Sequence, residues 1–264
     1  SVFAPNRCAH SKIHEIDAEI TRLGYKNMGS DVKLDQIKKF ERLDSVRFGV
    51  EGFSEAIRKK IGKVTTNEKL IDQLLYVSND LKTLQGNDTN SATMYMIGDF
   101  PGEGQAAISE FWDTLSIVDS RLKRRLTLFL SVSSFVPAPL TPMARCGVNP
   151  YSKFNSVYKS VRPRFQNLVI ATRGAMIPAS ARFAQLLTVR GDEKTSRVML
   201  WLSTSGKSIL SVSGKDSFRA GKTIEKALRS VSFDPEILYG ELPKDYKLPC
   251  DNQDQPVKPT RIWN

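Results

Sequence analysis

Residues 164–213, RFQNLVIATRGAMIPASARFAQLLTVRGDEKTSRVMLWLSTSGKSILSVS, decide the fold class read from this chain. Their apolar runs, around 164–172, 182–190, 196–204 and 207–213, are short and bounded by turn residues. Runs of that length between turn signals predict the strands of an antiparallel meander. Ser205-Gly206 suits a tight hairpin turn between the last two. Residues 217–231, SFRAGKTIEKALRSV, return to helical spacing and predict one helix packed on that sheet.

Upstream, residues 135–150 read FVPAPLTPMARCGVNP and hold four prolines. Proline lacks an amide donor and fixes φ, so this stretch resists both helix and sheet and marks a boundary. The half before it reads as helical. Ile13, Ile16, Ile20 and Leu23 share one helix face, and Gly24 is a stop signal. Leu34, Ile37, Phe40 and Leu43 predict a second helix, and Phe53, Ile57 and Ile61 a third. Thr66 caps a fourth, with Leu70, Leu74, Leu81 and Leu84 along its face. Residues 85–104 are rich in Gly, Asn, Ser and Thr and predict a long loop. The strongest helix signal is the near-heptad series Ile108, Phe111, Leu115, Val118, Leu122, Leu126 and Phe129. The expected architecture is therefore α+β. It has a mainly helical region 1–134, a proline-rich connector 135–150, a basic α+β region 151–240 and an extended tail 241–264.

The 264 residues are 40% hydrophobic and 9% aromatic, enough apolar material for a core and against a fully disordered chain. No apolar run approaches the ~18 residues of a membrane span, and the opening SVFAPNRCAHSK lacks a secretory layout. Cys8, Cys146 and Cys250 are odd in number and far apart, which fits a reducing, intracellular setting (cytoplasm or an assembled particle).

The net charge of +11 is unevenly placed. Residues 1–120 carry −3, residues 121–230 carry +16 and residues 231–264 carry −2. No acid occurs between Asp119 and Asp192. Surfaces normally interleave both signs, so a long acid-free stretch points to an external polyanion. The candidate contacts are Arg121, Lys123, Arg124, Arg125, Arg145, Lys153, Lys159, Arg162, Arg164, Arg173 and Arg182. Tyr158 joins them as an expected exposed ring for stacking on unpaired bases, with Tyr151 beside it. Phe165 and Phe183 are placed in the core, and part of the 121–125 cluster is explained by the helix end it sits on.

Catalytic patterns are weak. Gly221-Lys222-Thr223 resembles the end of a phosphate-binding loop, but Asp216 occupies the position of the first glycine. Cys8, His10 and His14 are the one close set of metal-ligand types, at a chain terminus and without a His-Glu-x-x-His pattern. Cys146 lies in a positive field that favours its thiolate, yet no histidine outside positions 10 and 14 exists to serve it. No cofactor is expected. The reading is a non-enzymatic structural protein that binds and packages nucleic acid, of nucleocapsid, coat or ribonucleoprotein-subunit type. Single-stranded RNA is the expected partner, held mostly through phosphates, with self-association. The alternatives are a matrix-type scaffold on anionic membrane and an assembly subunit with no polyanion partner.

Overall fold

The structure, a computed structural model, describes residues 2–3, 12–25, 28–83, 86–138, 141–148, 154–173, 179–204 and 217–244. The chain divides into two compact units, one formed by residues 1–134 and 153–176, the other by 135–152 and 177–264.

The first unit is built on one parallel sheet. Its strands are β1 (Val2–Phe3), β2 (Met28–Asp31), β3 (Ser45–Glu51), β4 (Ser91–Gly98), β5 (Leu126–Ser134) and β6 (Leu168–Arg173). They stand side by side in chain order, and every pair is parallel. Between them run α1 (Ile13–Arg22), a 3-10 turn (Leu34–Lys39), α2 (Glu55–Lys60), α3 (Asn67–Asn79), α4 (Gln105–Arg121) and α5 (Phe154–Ser160). When strand order follows chain order, crossovers of one hand all fall on the same face of the sheet. Burial bears that out. In β5, Leu126, Leu128, Leu130 and Val132 are buried, while Thr127, Phe129, Ser131 and Ser133 between them are only partly so. In β3, Val46, Phe48 and Val50 are buried, and Ser45, Arg47, Gly49 and Glu51 are not fully covered. The buried rows share one core with Leu70, Leu74 and Val77 of α3 and with Phe111, Trp112, Leu115 and Val118 of α4.

The second unit contains α6 (Ala179–Arg190), α7 (Glu193–Thr204), α8 (Ser217–Ser230) and α9 (Glu236–Tyr239). Helix α6 packs on α8 and α9, and α7 on α8. Arg190 closes α6. It is fully buried and donates to four carbonyl oxygens: Leu238 at 3.0 Å, Gly240 at 2.8 Å, Ala144 at 2.9 Å and Cys146 at 2.6 Å. One guanidinium thereby fastens the 144–146 and 238–240 segments to the helix end.

These findings overturn the α+β expectation: the arrangement is α/β with a parallel sheet, and the antiparallel meander is absent from the described residues. Of the three expected strands that fall within the described residues, only the first is one, and it joins a parallel sheet as β6. The runs at 182–190 and 196–204 are helices. A short apolar run cannot by itself separate a strand from a buried helix turn. Here the start of α7 settles it: the Asp192 carboxylate accepts from Lys194 N at 2.9 Å and Thr195 N at 3.2 Å. The run at 207–213 lies outside the described residues.

The half expected to be helical holds five strands. Helix α4 ends at Arg121 and β5 begins at Leu126, so the near-heptad series spans two elements. Strand β4 occupies part of the expected 85–104 loop. Helices α1 and α8 match their expected spans, Gly24 follows α1 at φ 74°, and Thr66 caps α3 by accepting from Lys69 N at 3.1 Å.

Candidate functional site

In parallel α/β sheets, ligands bind outside the carboxyl ends of the strands, where the loops are free to vary. In the first unit those ends are unusual. Among the described residues other than glycine, positive φ occurs at Glu51 (71°), Asp99 (70°) and Ser232 (58°). Ser232 follows α8 and is an ordinary left-handed helix stop, with Phe233 N returning to Leu228 O at 3.0 Å. Glu51 and Asp99 follow no helix. They sit at the carboxyl ends of two adjacent strands, β3 and β4, and both are acids. A left-handed residue with a side chain costs about 1 kcal/mol or more and persists only where its surroundings impose it.

The surroundings can be traced. The β3–β4 register shifts between Gly49 and Glu51, which bends the strand end. A Cβ on Gly49 would lie 2.6 Å from Glu51 Oε1, so glycine there lets the carboxylate fold back over the sheet. Lys63 Nζ stands 3.4 Å from that oxygen. A Cβ on Gly52 would lie 2.5 Å from Ile57 Cγ2, so α2 packs tightly on the turn it follows. Ser54 caps α2, accepting from Ile57 N at 3.2 Å.

Beneath this turn lies a buried polar network. Arg58 is fully buried and donates to Thr65 O at 2.7 Å, Gly52 O at 3.1 Å, Phe53 O at 3.2 Å and Asn67 Oδ1. Burial lowers its pKa, and Glu110 and Glu55 act against that. The Glu110 carboxylate accepts from Glu55 N and Asn67 Nδ2, each at 2.8 Å. Glu55 accepts from Asn67 N at 2.8 Å.

Glu103 joins the two strand ends. Its Oε1 accepts from Phe53 N at 3.2 Å, and its Oε2 from Asp99 N at 2.6 Å and Phe100 N at 3.2 Å. Burial pushes its carboxyl up to about 7, against the pull of those three amides, and the neighbouring Asp99 adds to the rise. A carboxyl poised near neutrality can hold or release a proton under ordinary conditions. The strand ends thus carry Glu51 paired with Lys63, Asp99, and a half-buried Glu103 that accepts from both turns.

The sequence-predicted residues fall elsewhere. Arg121, Lys123 and Arg125 are exposed between α4 and β5, at the amino end of the sheet. Arg124 is paired with Asp88 and donates to Asn79 O at 2.5 Å. Lys159 and Arg164 are exposed between α5 and β6. Arg162 donates to Ile170 O at 2.9 Å and stands 5.9 Å from the centre of the Trp112 ring. Arg145 lies in the second unit, partly buried. Arg173 is on β6 and Arg182 on α6, while Lys153 and Tyr151 lie outside the described residues.

Tyr158 corrects the expectation of an exposed stacking ring. It is only 5% exposed, with its ring centre 5.0 Å from Trp112 and 5.9 Å from Phe53. Burial raises its phenol pKa, with Thr172 and Arg162 pulling it back. Its helical spacing marked a buried face instead.

Lys222 lies within α8 and pairs with Glu225 at 3.0 Å, which places the Gly221-Lys222-Thr223 resemblance inside a helix. His14 lies on α1, and Cys8 and His10 lie outside the described residues. No group of three potential metal-ligating side chains occurs among the described residues. No helix among them is long and apolar enough to cross a membrane.

Reasoning from sequence missed Glu51, Asp99 and Glu103. Their available signal was a pair of similar segments, VEGFSE at 50–55 and GDFPGEG at 98–104, each an alternating run breaking into a glycine-containing acidic turn. Comparison with known proteins adds no identity: no protein-family model matches the chain, and no curated protein matches it.

Proposed function

We propose that the first unit binds a small molecule bearing hydroxyl or amino groups at the carboxyl ends of β3 and β4, and that Glu103 exchanges a proton there. The observation that carries this reading is the pair of acidic, left-handed residues ending two neighbouring parallel strands. Strained backbone of this kind clusters at functional sites. The charged groups at these strand ends are mainly acidic, which favours a ligand that donates hydrogen bonds. The unit is then the binding part of an enzyme, with Glu51 and Asp99 holding the ligand and Glu103 moving the proton.

This departs from the non-enzymatic packaging reading. That reading rested on cations without internal partners, and Arg124, Arg162 and Arg190 all have them.

Glycine at either strained position tests the proposal. Glu51→Gly and Asp99→Gly are each expected to raise the unfolding free energy by about 1 kcal/mol, because glycine accepts positive φ without strain. The same variants should lose the thermal shift that a panel of polyhydroxylated and amine-bearing small molecules gives the unaltered protein. If both variants are destabilised, the carboxylates serve the fold and the site reading fails.

A further inference from the structure

The amino end of the same sheet carries a second feature. Helix α4 ends at Arg121 and α5 at Ser160, and both return to adjacent strands, β5 and β6. Asp119 ties the two returning loops together. Its Oδ1 accepts from Asn167 N at 2.7 Å and Leu168 N at 2.6 Å, and its Oδ2 from Gln166 N at 3.0 Å. Leu126 N adds a bond to Asn167 O at 3.0 Å. Exposed Arg121 at the end of α4, with Lys123 and Arg125 after it, and exposed Lys159 in the last turn of α5, with Arg164 after it, thereby lie at the amino ends of two adjacent strands.

The local acids do not cancel this charge. Asp88 is paired with Lys82 and Arg124, while Asp119 keeps its negative charge although its oxygens accept from three neutral amides. Asp80, exposed at the end of α3, is one opposing charge. The two helix C-termini supply roughly half a negative charge each. With Asp119 counted, five cations against about three negative charges leave a positive excess on one edge.

We infer that this edge binds the phosphodiester backbone of nucleic acid, independently of the site at the opposite end of the strands. The pattern favours phosphates over a lipid surface. Membrane docking through a basic face is anchored by aromatic or leucine side chains. Among the described residues, Ile117, one turn before Arg121 on α4, is the large exposed apolar side chain on these elements. With Tyr158 buried, binding is expected to be indifferent to sequence and to need no unpaired base.

The test is fluorescence anisotropy of a labelled oligouridylate and of a duplex, titrated with salt. If all five cations engage, log K should fall against log salt with a slope of about −3.5 on the single strand and about −4.5 on the duplex. A triple variant, Arg121→Glu, Lys123→Glu and Arg125→Glu, should reduce the single-strand slope to about −1.4. Lys159→Glu with Arg164→Glu should reduce it to about −2. A control with the same change in net charge, Lys33→Glu, Lys59→Glu and Lys60→Glu, should leave the slope intact. Equal loss in the control would show an effect of net charge alone and overturn the assignment. So would binding to anionic vesicles in place of both nucleic acids.

Discussion

Replacing Arg190 by methionine is expected to cost the second unit several kcal/mol, because four carbonyl oxygens lose their shared donor, at about 1–3 kcal/mol for each one left buried and unsatisfied. Methionine fills much of the volume but donates no hydrogen bond. The buried carbonyls of Leu238 and Ala144, and the half-buried ones of Gly240 and Cys146, would then lose this donor. Each unsatisfied buried polar group costs about 1–3 kcal/mol, and relaxation toward water keeps the sum below the simple total. Arg190→Lys should recover only part, because a point ammonium cannot match a planar fork that spans two segments. Chemical denaturation followed by a probe in the second unit measures this. A loss under 1 kcal/mol would show that the four carbonyls find other donors.

The second large effect is a pH dependence carried by Glu103. In the unfolded chain its carboxyl has the ordinary value of 4.5, and in the folded protein it stands at about 7. Between those values the native state holds a proton that the unfolded chain has released. Stability must therefore fall as pH rises through that window. The contribution is fully present below 4.5 and gone above about 7. Its size is up to about 3 kcal/mol, at 1.36 kcal/mol per unit. Glu103→Gln removes the titration, so its stability curve should lack this fall between mildly acidic and neutral pH. An identical fall in the variant would assign the dependence to another group. The same titration links proton uptake to the turn geometry, because both oxygens of Glu103 hold the amides that end β3 and β4.

The sequence exposed some elements clearly and hid others for physical reasons. Helix α3 was legible because Thr66 caps it and Leu70 and Leu74 repeat along its buried face. Strand β5 was hidden inside a helical series. Leu126 and Phe129 continue the spacing set by Leu122, yet on the strand they point to opposite faces, one buried and one half-covered. The alternation of Leu126, Leu128, Leu130 and Val132 was the better signal. At 182–204 the error ran the other way, since apolar-rich runs of nine residues fit either element. The candidate site was least legible of all. Phe53 meets Glu103, and Glu55 meets Glu110, across about fifty residues of intervening chain, so no local pattern could join them. The basic edge was half legible. The acid-free stretch named its cations, but not that Arg124 and Arg190 turn inward, and that Arg162 bonds a strand carbonyl, while Arg121, Lys123 and Arg125 stay exposed.

The strand order has a kinetic consequence. Each of the central strands pairs only with the strand made just before it and the one made just after. Parallel pairing is ordinarily slow because distant segments must meet before any contact rewards them. Here each loop to be closed is a single crossover long, so the search at every step stays short. A growing chain can lay down β3 against β2, then β4 against β3, without waiting for its later residues. Assembly can proceed in the direction of synthesis, and the edge left open at each stage is the one that the next strand covers.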